Sequence, residues 1–172
     1  MTRFTVLVAA PDAHSAIRTA AADAAAAIAA ETGDSTRPHV IDLAELGPAL
    51  LAADTGRDVI DALDTVRTSE VLLVASPQVH GSYTGLLKVF LDRLPELGLA
   101  HTVAVPMAVV EDLRNGRNID EDLRVVLSDL GAWVVEPGLL LARGELGDAR
   151  GVIAAWSEVA APALRQAVAV AV

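Results

Sequence analysis

Cysteine is absent from the 172 residues, which removes disulfides, thiolate nucleophiles and thiolate-rich metal sites and leaves the redox compartment open. Basic charge is scarce. Thirteen Lys and Arg face 23 Asp and Glu, a formal charge of -10, and a chain so acidic lacks the basic footprint that phosphate backbones require, so a nucleic-acid partner is not expected. Aromatics make up 3% of the chain, with a single tyrosine, Tyr83. No uncharged apolar run reaches the roughly 18 residues of a membrane span. The first apolar run is cut by Pro11 and Asp12 at a length that suits a strand better than a secretory core, so a cytoplasmic protein without a membrane partner is expected. Also missing are a G-x-G-x-x-G loop, a Walker loop and a G-x-S-x-G elbow, which removes the usual signatures of dinucleotide, nucleoside triphosphate and serine-hydrolase sites. His14, His39 and His101 show no close metal-ligand spacing, so no metal is expected.

What is present is apolar residues, at 53%, largely alanine. That level disfavours disorder, and the length suits one domain spanning residues 1–172. The stretch Val71 to Pro95 organises the rest. Val71 to Ala75 reads as a buried strand ended by Ser76-Pro77, a polar loop runs from Gln78 to Thr84, and Gly85 to Leu94 reads as a helix with Leu86, Leu87, Phe90, Leu91 and Leu94 on one face. Before it, Phe4 to Ala9 is a strand. Ser15 caps a helix that ends at Thr32 with Gly33 at C′, His39 to Leu43 is a second strand, Leu43 to Asp54 has no regular period, and Asp58 caps a helix carrying Val59, Ile60, Leu63 and Val66. After it, Thr102 to Val110 is a strand, residues 111–118 form the most polar connection, and Ile119 to Leu130 is a helix closed by Gly131. Trp133 opens a fifth strand that bends at Glu136-Pro137-Gly138 and resumes at Leu139 to Ala142, and a last helix from Asp148 to about Ala169 is kinked at Pro162. Repeated β-α units predict a doubly wound α/β domain with a five-stranded parallel sheet and helices on both faces; a flavodoxin-like order 2-1-3-4-5 is one of two common solutions.

In such a sheet, ligands sit outside the carboxyl ends of the strands. Two loops there carry chemistry. After the first strand, Ser15 and Thr19 offer hydroxyls and Arg18 a charge to a phosphate at the helix start, against the repulsion of Asp12. A bare helix cap is the other reading of Ser15. After the central strand, Tyr83 can border a planar ligand, His80 can exchange a proton, and Ser82 can bind polar ring edges. Each also has a plain role, as an anchor, an exposed polar residue and a turn residue.

The order of elements and the string ASPQVHGSYTGLLKVFLDRLP together resemble the NAD(P)H-dependent FMN reductase family of the flavodoxin-like superfold, over roughly Phe4 to Ala142. In that family the segment matching Ser76 to Gly85 lies under or beside the flavin ring. Ser82, Tyr83 and Gly85 match it, while Val79 stands where an aromatic is common. The resemblance implies hydride transfer from NADH or NADPH to FMN, with the flavin carrying the chemistry. It assigns Ser15, Arg18 and Thr19 to the phosphate, and Pro77, Gln78, Val79, His80, Ser82 and Tyr83 to the ring and ribityl region. Val110 and Glu111 fall in the third flavin loop. It further implies a homodimer or homotetramer and a flavin-dependent monooxygenase as electron recipient.

Two loops depart from the family pattern. Ala9-Ala10-Pro11-Asp12 replaces a glycine-serine-proline-arginine turn, and Val109-Val110-Glu111 replaces a threonine-glycine-glycine-like turn. The second reading is therefore a flavodoxin-like protein that has lost tight FMN binding and uses the pocket for non-redox small-molecule chemistry or partner binding. His80 would then pair with a carboxylate, Asp12 or Glu111, as acid and base. A purely structural or assembly protein is the third.

Overall fold

The computed structural model describes residues 3–171. Its strands are β1 (Phe4–Val8), β2 (His39–Asp42), β3 (Val71–Pro77), β4 (Val103–Val110), β5 (Trp133–Val134) and β6 (Leu139–Ala142). Its α-helices are α1 (Ala16–Thr32), α2 (Leu43–Leu46), α3 (Arg57–Arg67), α4 (Gly85–Leu91), α5 (Arg117–Asp129) and α6 (Arg150–Ala171). All strand pairs are parallel and the order is β2-β1-β3-β4-β5, the flavodoxin-like order. The expected fifth strand is two pieces. Trp133 pairs with Val103 and Leu139 with Met107, so β5 and β6 share the same flank of β4 with the turn at Glu136-Pro137-Gly138 between them. Proline cannot donate to a ladder, and one falls at this interruption.

Alternation along the strands divides the core into two layers. Val6, Val8, Leu73, Ala75, Val105 and Met107 pack under α1 and α6, while Leu7, Leu72, Val74, Ala104 and Ala108 pack under α3, α4 and α5. Four of the alanines of α1, Ala20, Ala21, Ala24 and Ala25, are buried, and their small side chains let α1 lie close to both the sheet and α6. Gly33 terminates α1 in the left-handed region at φ 70 and donates to Ala29 and Ala30, as the sequence predicts.

Several local expectations are corrected. Residues 43–51 are not irregular: Asp42 caps the single turn of α2, followed by a 3-10 turn, Gly47–Leu51, that holds its proline in the first turn where no N–H donor is needed. The cap of α3 is Gly56, not Asp58, which sits within the first helical turn and complements the exposed amides and dipole there. Helix α4 stops at Leu91, with Asp92 as its last capping position, so Leu94 belongs to the following turns, although it remains buried. Pro162 lies inside α6 without ending it.

Candidate functional site

At the carboxyl edge of the sheet the loops after β1, β3 and β4 lie side by side, and the order reverses between β1 and β3, the point at which such sheets open a crevice. The sequence ties the first two loops together with hydroxyls. Thr84 is buried and caps α4: its Oγ1 accepts from the Leu87 amide at 3.2 Å and donates to the Ala9 carbonyl at 2.9 Å. Its own amide donates to Ser76 Oγ at 3.1 Å. Ser76 is fully buried, and its hydroxyl extends the even-numbered face of β3 to meet the start of α4.

The loop after β3 is a two-residue hairpin. Val79 and Ser82 exchange backbone hydrogen bonds of 2.8 and 3.2 Å, and His80 and Gly81 occupy positive φ, 50 and 90. Positive φ at both central residues is the signature of a type I′ turn, whose twist matches its flanks. Side chains then fix the hairpin to its neighbours. Gln78 Nε2 donates to the Asn115 carbonyl at 3.0 Å, and Ser82 Oγ donates to Asp122 Oδ2 on α5 at 2.5 Å. Tyr83 is half-buried against the α3–α5 layer, and His80 is exposed at the tip.

The loop after β1 approaches α1 through His14, at φ 55. The His14 amide donates to Asp42 Oδ2 at 3.0 Å, and Asp42, with a fully buried side chain, also accepts from the Ala44 amide and from Arg18. Arg18 Nη1 lies 3.0 Å from Glu45 Oε1, and His14 Nε2 lies 3.3 Å from the same oxygen. Ser15 has the extended backbone of a cap but makes no side-chain cap bond; its Oγ is buried without a hydrogen-bond partner. A hydroxyl so placed costs desolvation without compensation, at the opening of α1, where the Arg18 amide already donates to the Ser15 carbonyl at 3.0 Å and the amides ahead of it lie beyond the reach of the helix's own carbonyls. Asp12 is exposed, so its carboxylate points to water.

Each expected residue has a definite place. Ser15, Arg18 and Thr19 begin α1; Ser15 turns inward, Arg18 turns to Asp42 and Glu45, and Thr19 is exposed. Pro77 ends β3, and Gln78 reaches the β4 side through its amide, which donates to the Val109 carbonyl at 2.8 Å. Val79, His80, Ser82 and Tyr83 form the hairpin wall. Val110 carries a core side chain, and Glu111 is exposed and pairs with Arg143. Next to it Asp112 accepts from both the side chain and the amide of Arg114, which draws its pKa below the usual 3.8, the Arg114 side chain being the larger cause. Among the described residues no hydrogen bond or ion pair joins His80 to Asp12 or Glu111. His39 and His101 lie at the opposite, amino end of the sheet.

Four residues that hold the site together were given no individual role by the sequence: Ser76 and Thr84, which lie within the segment expected beside the ring, and Asn115 and Asp122, which lie outside it. Thr84 had a local signal, a hydroxyl residue just before an apolar helical period. Asp122 had none, being separated from Ser82 by 40 residues.

Known proteins give this geometry a context. Residues 2–145 match the sequence profile of the NADPH-dependent FMN reductase family. An NADH-dependent FMN reductase, SfnE, of Pseudomonas putida is 30% identical over 118 residues, 66% of this chain and 63% of the relative. An NADPH-type FMN reductase of Pseudomonas aeruginosa is 30% identical over 130 residues, 72% of this chain and 70% of its own. The chain thus spans less than two thirds of the length of the first of these curated relatives. Among solved structures, an NADH:FMN oxidoreductase in its apo form superposes with a TM-score of 0.82 at 27% identity, covering 95% of this chain and 88% of that one. An oxidoreductase of Corynebacterium diphtheriae does so with 0.81 at 26%, covering 98% and 96%. Fold, element order and sequence profile agree, and the chain belongs to the NADPH-dependent FMN reductase family.

Proposed function

We propose that this chain is itself an NAD(P)H-dependent FMN reductase, with FMN across the carboxyl ends of β1, β3 and β4. The observation that carries this reading is Ser15: a buried hydroxyl without a partner at the start of a 17-residue helix is a donor waiting for an anion, and a flavin phosphate supplies one. Ser15 Oγ and the first amides of α1 hold the phosphate. The Arg18 guanidinium, one turn along, adds positive potential partly offset by Asp42 and Glu45. Gln78, Val79, His80, Ser82 and Tyr83 form the wall for the ring and ribityl chain, with Pro77 ending the strand behind it.

When bound, the flavin supplies the hydride-accepting ring, so the protein needs no nucleophile of its own and the missing cysteine is no obstacle. What these residues contribute is position. The hairpin is fixed at both ends, Thr84 locks the β1 loop against it, and the half-buried Tyr83 keeps one side apolar. The β4 side offers Val110 as packing and Glu111 as a rim charge held by Arg143.

The same reading places the protein in the cytoplasm as a homodimer or homotetramer that hands electrons to a flavin-dependent monooxygenase. Exposed Leu51, in the 3-10 turn after α2, and Ile60, on α3, supply apolar area for a second copy. No helix among the described residues is long and apolar enough to cross a membrane. Steady-state oxidation of NADH and NADPH, with and without added FMN, tests the proposal. Turnover that depends on FMN is expected, with Ser15→Ala raising the KM for FMN; no FMN-dependent turnover with either nucleotide refutes it.

A further inference from the structure

Resting on the reductase reading above, we propose that Asp122 is a positioning residue, a latch on α5 that holds the ring-side hairpin at its working angle to the sheet. The two-residue turn His80-Gly81 fixes the shape of the hairpin but not its orientation, because its backbone bonds are internal, Val79 to Ser82 and back. Orientation has to come from bonds that leave it. Among the described residues two side-chain bonds do so: Gln78 Nε2 to the Asn115 carbonyl, 3.0 Å, and Ser82 Oγ to Asp122 Oδ2, 2.5 Å. The second is a hydroxyl on an acceptor-only carboxylate at the short end of the charge-assisted range, the stronger class of hydrogen bond.

Asp122 is well placed for this role. Helix α5 is anchored by buried Ile119, Leu123 and Leu127, so the carboxylate projects from a rigid element rather than from a loop. Its acidic neighbours on the helix are engaged elsewhere, Asp120 with Arg124 and Glu121 with Arg117. Asp122 has Ser82. Because Ser82 gives its single proton to that carboxylate, it offers a ligand lone pairs and no donor, which makes it an acceptor for a ring N–H. Losing Asp122 would therefore both release the hairpin and free the Ser82 proton to point the wrong way.

Two measurements on the full chain separate this role from a general structural one. Without flavin, hydrogen exchange at the Val79 and Ser82 amides should quicken about 5-fold in Asp122→Ala, because the Ser82–Asp122 bond is solvent-exposed and water discounts its charge-assisted strength to about 1 kcal/mol. Ser82→Ala should match it, the double variant should be no faster than either single one, and Asp122→Asn, which keeps an acceptor oxygen, should recover part of the protection. In turnover, Asp122→Ala should raise the KM for FMN about 3- to 10-fold with kcat within about 2-fold, since positioning is lost and the chemistry of the ring is not. Unchanged exchange in Asp122→Ala, or additive effects of the two single substitutions, overturns the latch. A wild-type chain that ignores FMN sinks the reductase reading and the kinetic half of this proposal with it, while the exchange result stands on its own.

Discussion

Replacing Thr84 by valine keeps its shape and removes its hydroxyl, and two losses follow. The Leu87 amide loses its side-chain acceptor, although it keeps a 3.1 Å bond to the Thr84 carbonyl, so this cap is worth about 1 kcal/mol. The Ala9 carbonyl loses the donor at 2.9 Å inside the protein, where a polar group left unpaired costs about 1–3 kcal/mol. The bond from the Thr84 amide to Ser76 survives because it is backbone. Together these come to roughly 2–4 kcal/mol, or a fall in Tm of about 5–15 °C at this chain length. Thr84→Ser restores the hydroxyl and should cost only the methyl group, about 1 kcal/mol. Thermal unfolding followed by circular dichroism reads both variants. A Thr84→Val protein melting within about 2 °C of wild type, or one no less stable than Thr84→Ser, would show that the β1 and β3 loops are held together by something other than this residue.

Ser15→Ala removes an unpaired buried hydroxyl and no cap bond, so the flavin-free protein should melt at the same temperature or gain up to about 1 kcal/mol while binding FMN more weakly; a marked loss of stability would mean that the hydroxyl already has a partner. Arg18→Ala strips the fully buried Asp42 side chain of its guanidinium partner but leaves two backbone amides, and should cost about 1.5–3 kcal/mol by denaturant melt, with no change counting against a structural role for the pair. A methyl group at Gly138 would run into Asp120 Oδ1 and come within 3.2 Å of the Pro106 carbonyl, so Gly138→Ala should destabilise by about 1–3 kcal/mol, and a neutral result would show that this turn has room to move. Carboxyl NMR titration should find Asp112 below its ordinary 3.8. Its folded pKa is depressed, so the stability it contributes is present above the unfolded pKa and is lost as pH falls through the lower, folded value; a titration at or above 3.8 contradicts the Arg114 contact.

The fold was legible because its signals are local and repeated. Val71–Pro77 and Phe4–Val8 are short apolar runs ended by turn residues, and α1 is bracketed by a hydroxyl at one end and Gly33 at the other. Where the reading missed, a local rule met competition. Asp58 is a good cap by type, but Gly56 takes the extended conformation two residues earlier and leaves Asp58 to the first turn. Ser15 is a cap by position, and its side chain turned inward, a choice that one stretch of sequence cannot reveal. The interruption between β5 and β6 was visible at Pro137, and only pairing with β4 shows that both pieces share one flank. The candidate site was half legible for the same reason. The hairpin residues are contiguous and polar between two apolar elements, whereas Asn115 and Asp122, which orient it, arrive from elements that no periodicity links to it.

The central claim is that the start of α1 receives the phosphate of a flavin whose ring lies against the hairpin. Parallel fluorescence titrations of the purified chain with FMN and with riboflavin separate the two halves of that claim, since the ligands differ only in the phosphate. FMN should bind at least about 10-fold more tightly, as expected for one charge-assisted contact of about 1.5 kcal/mol or more. Equal affinities, or no saturable quenching by either flavin, would contradict it.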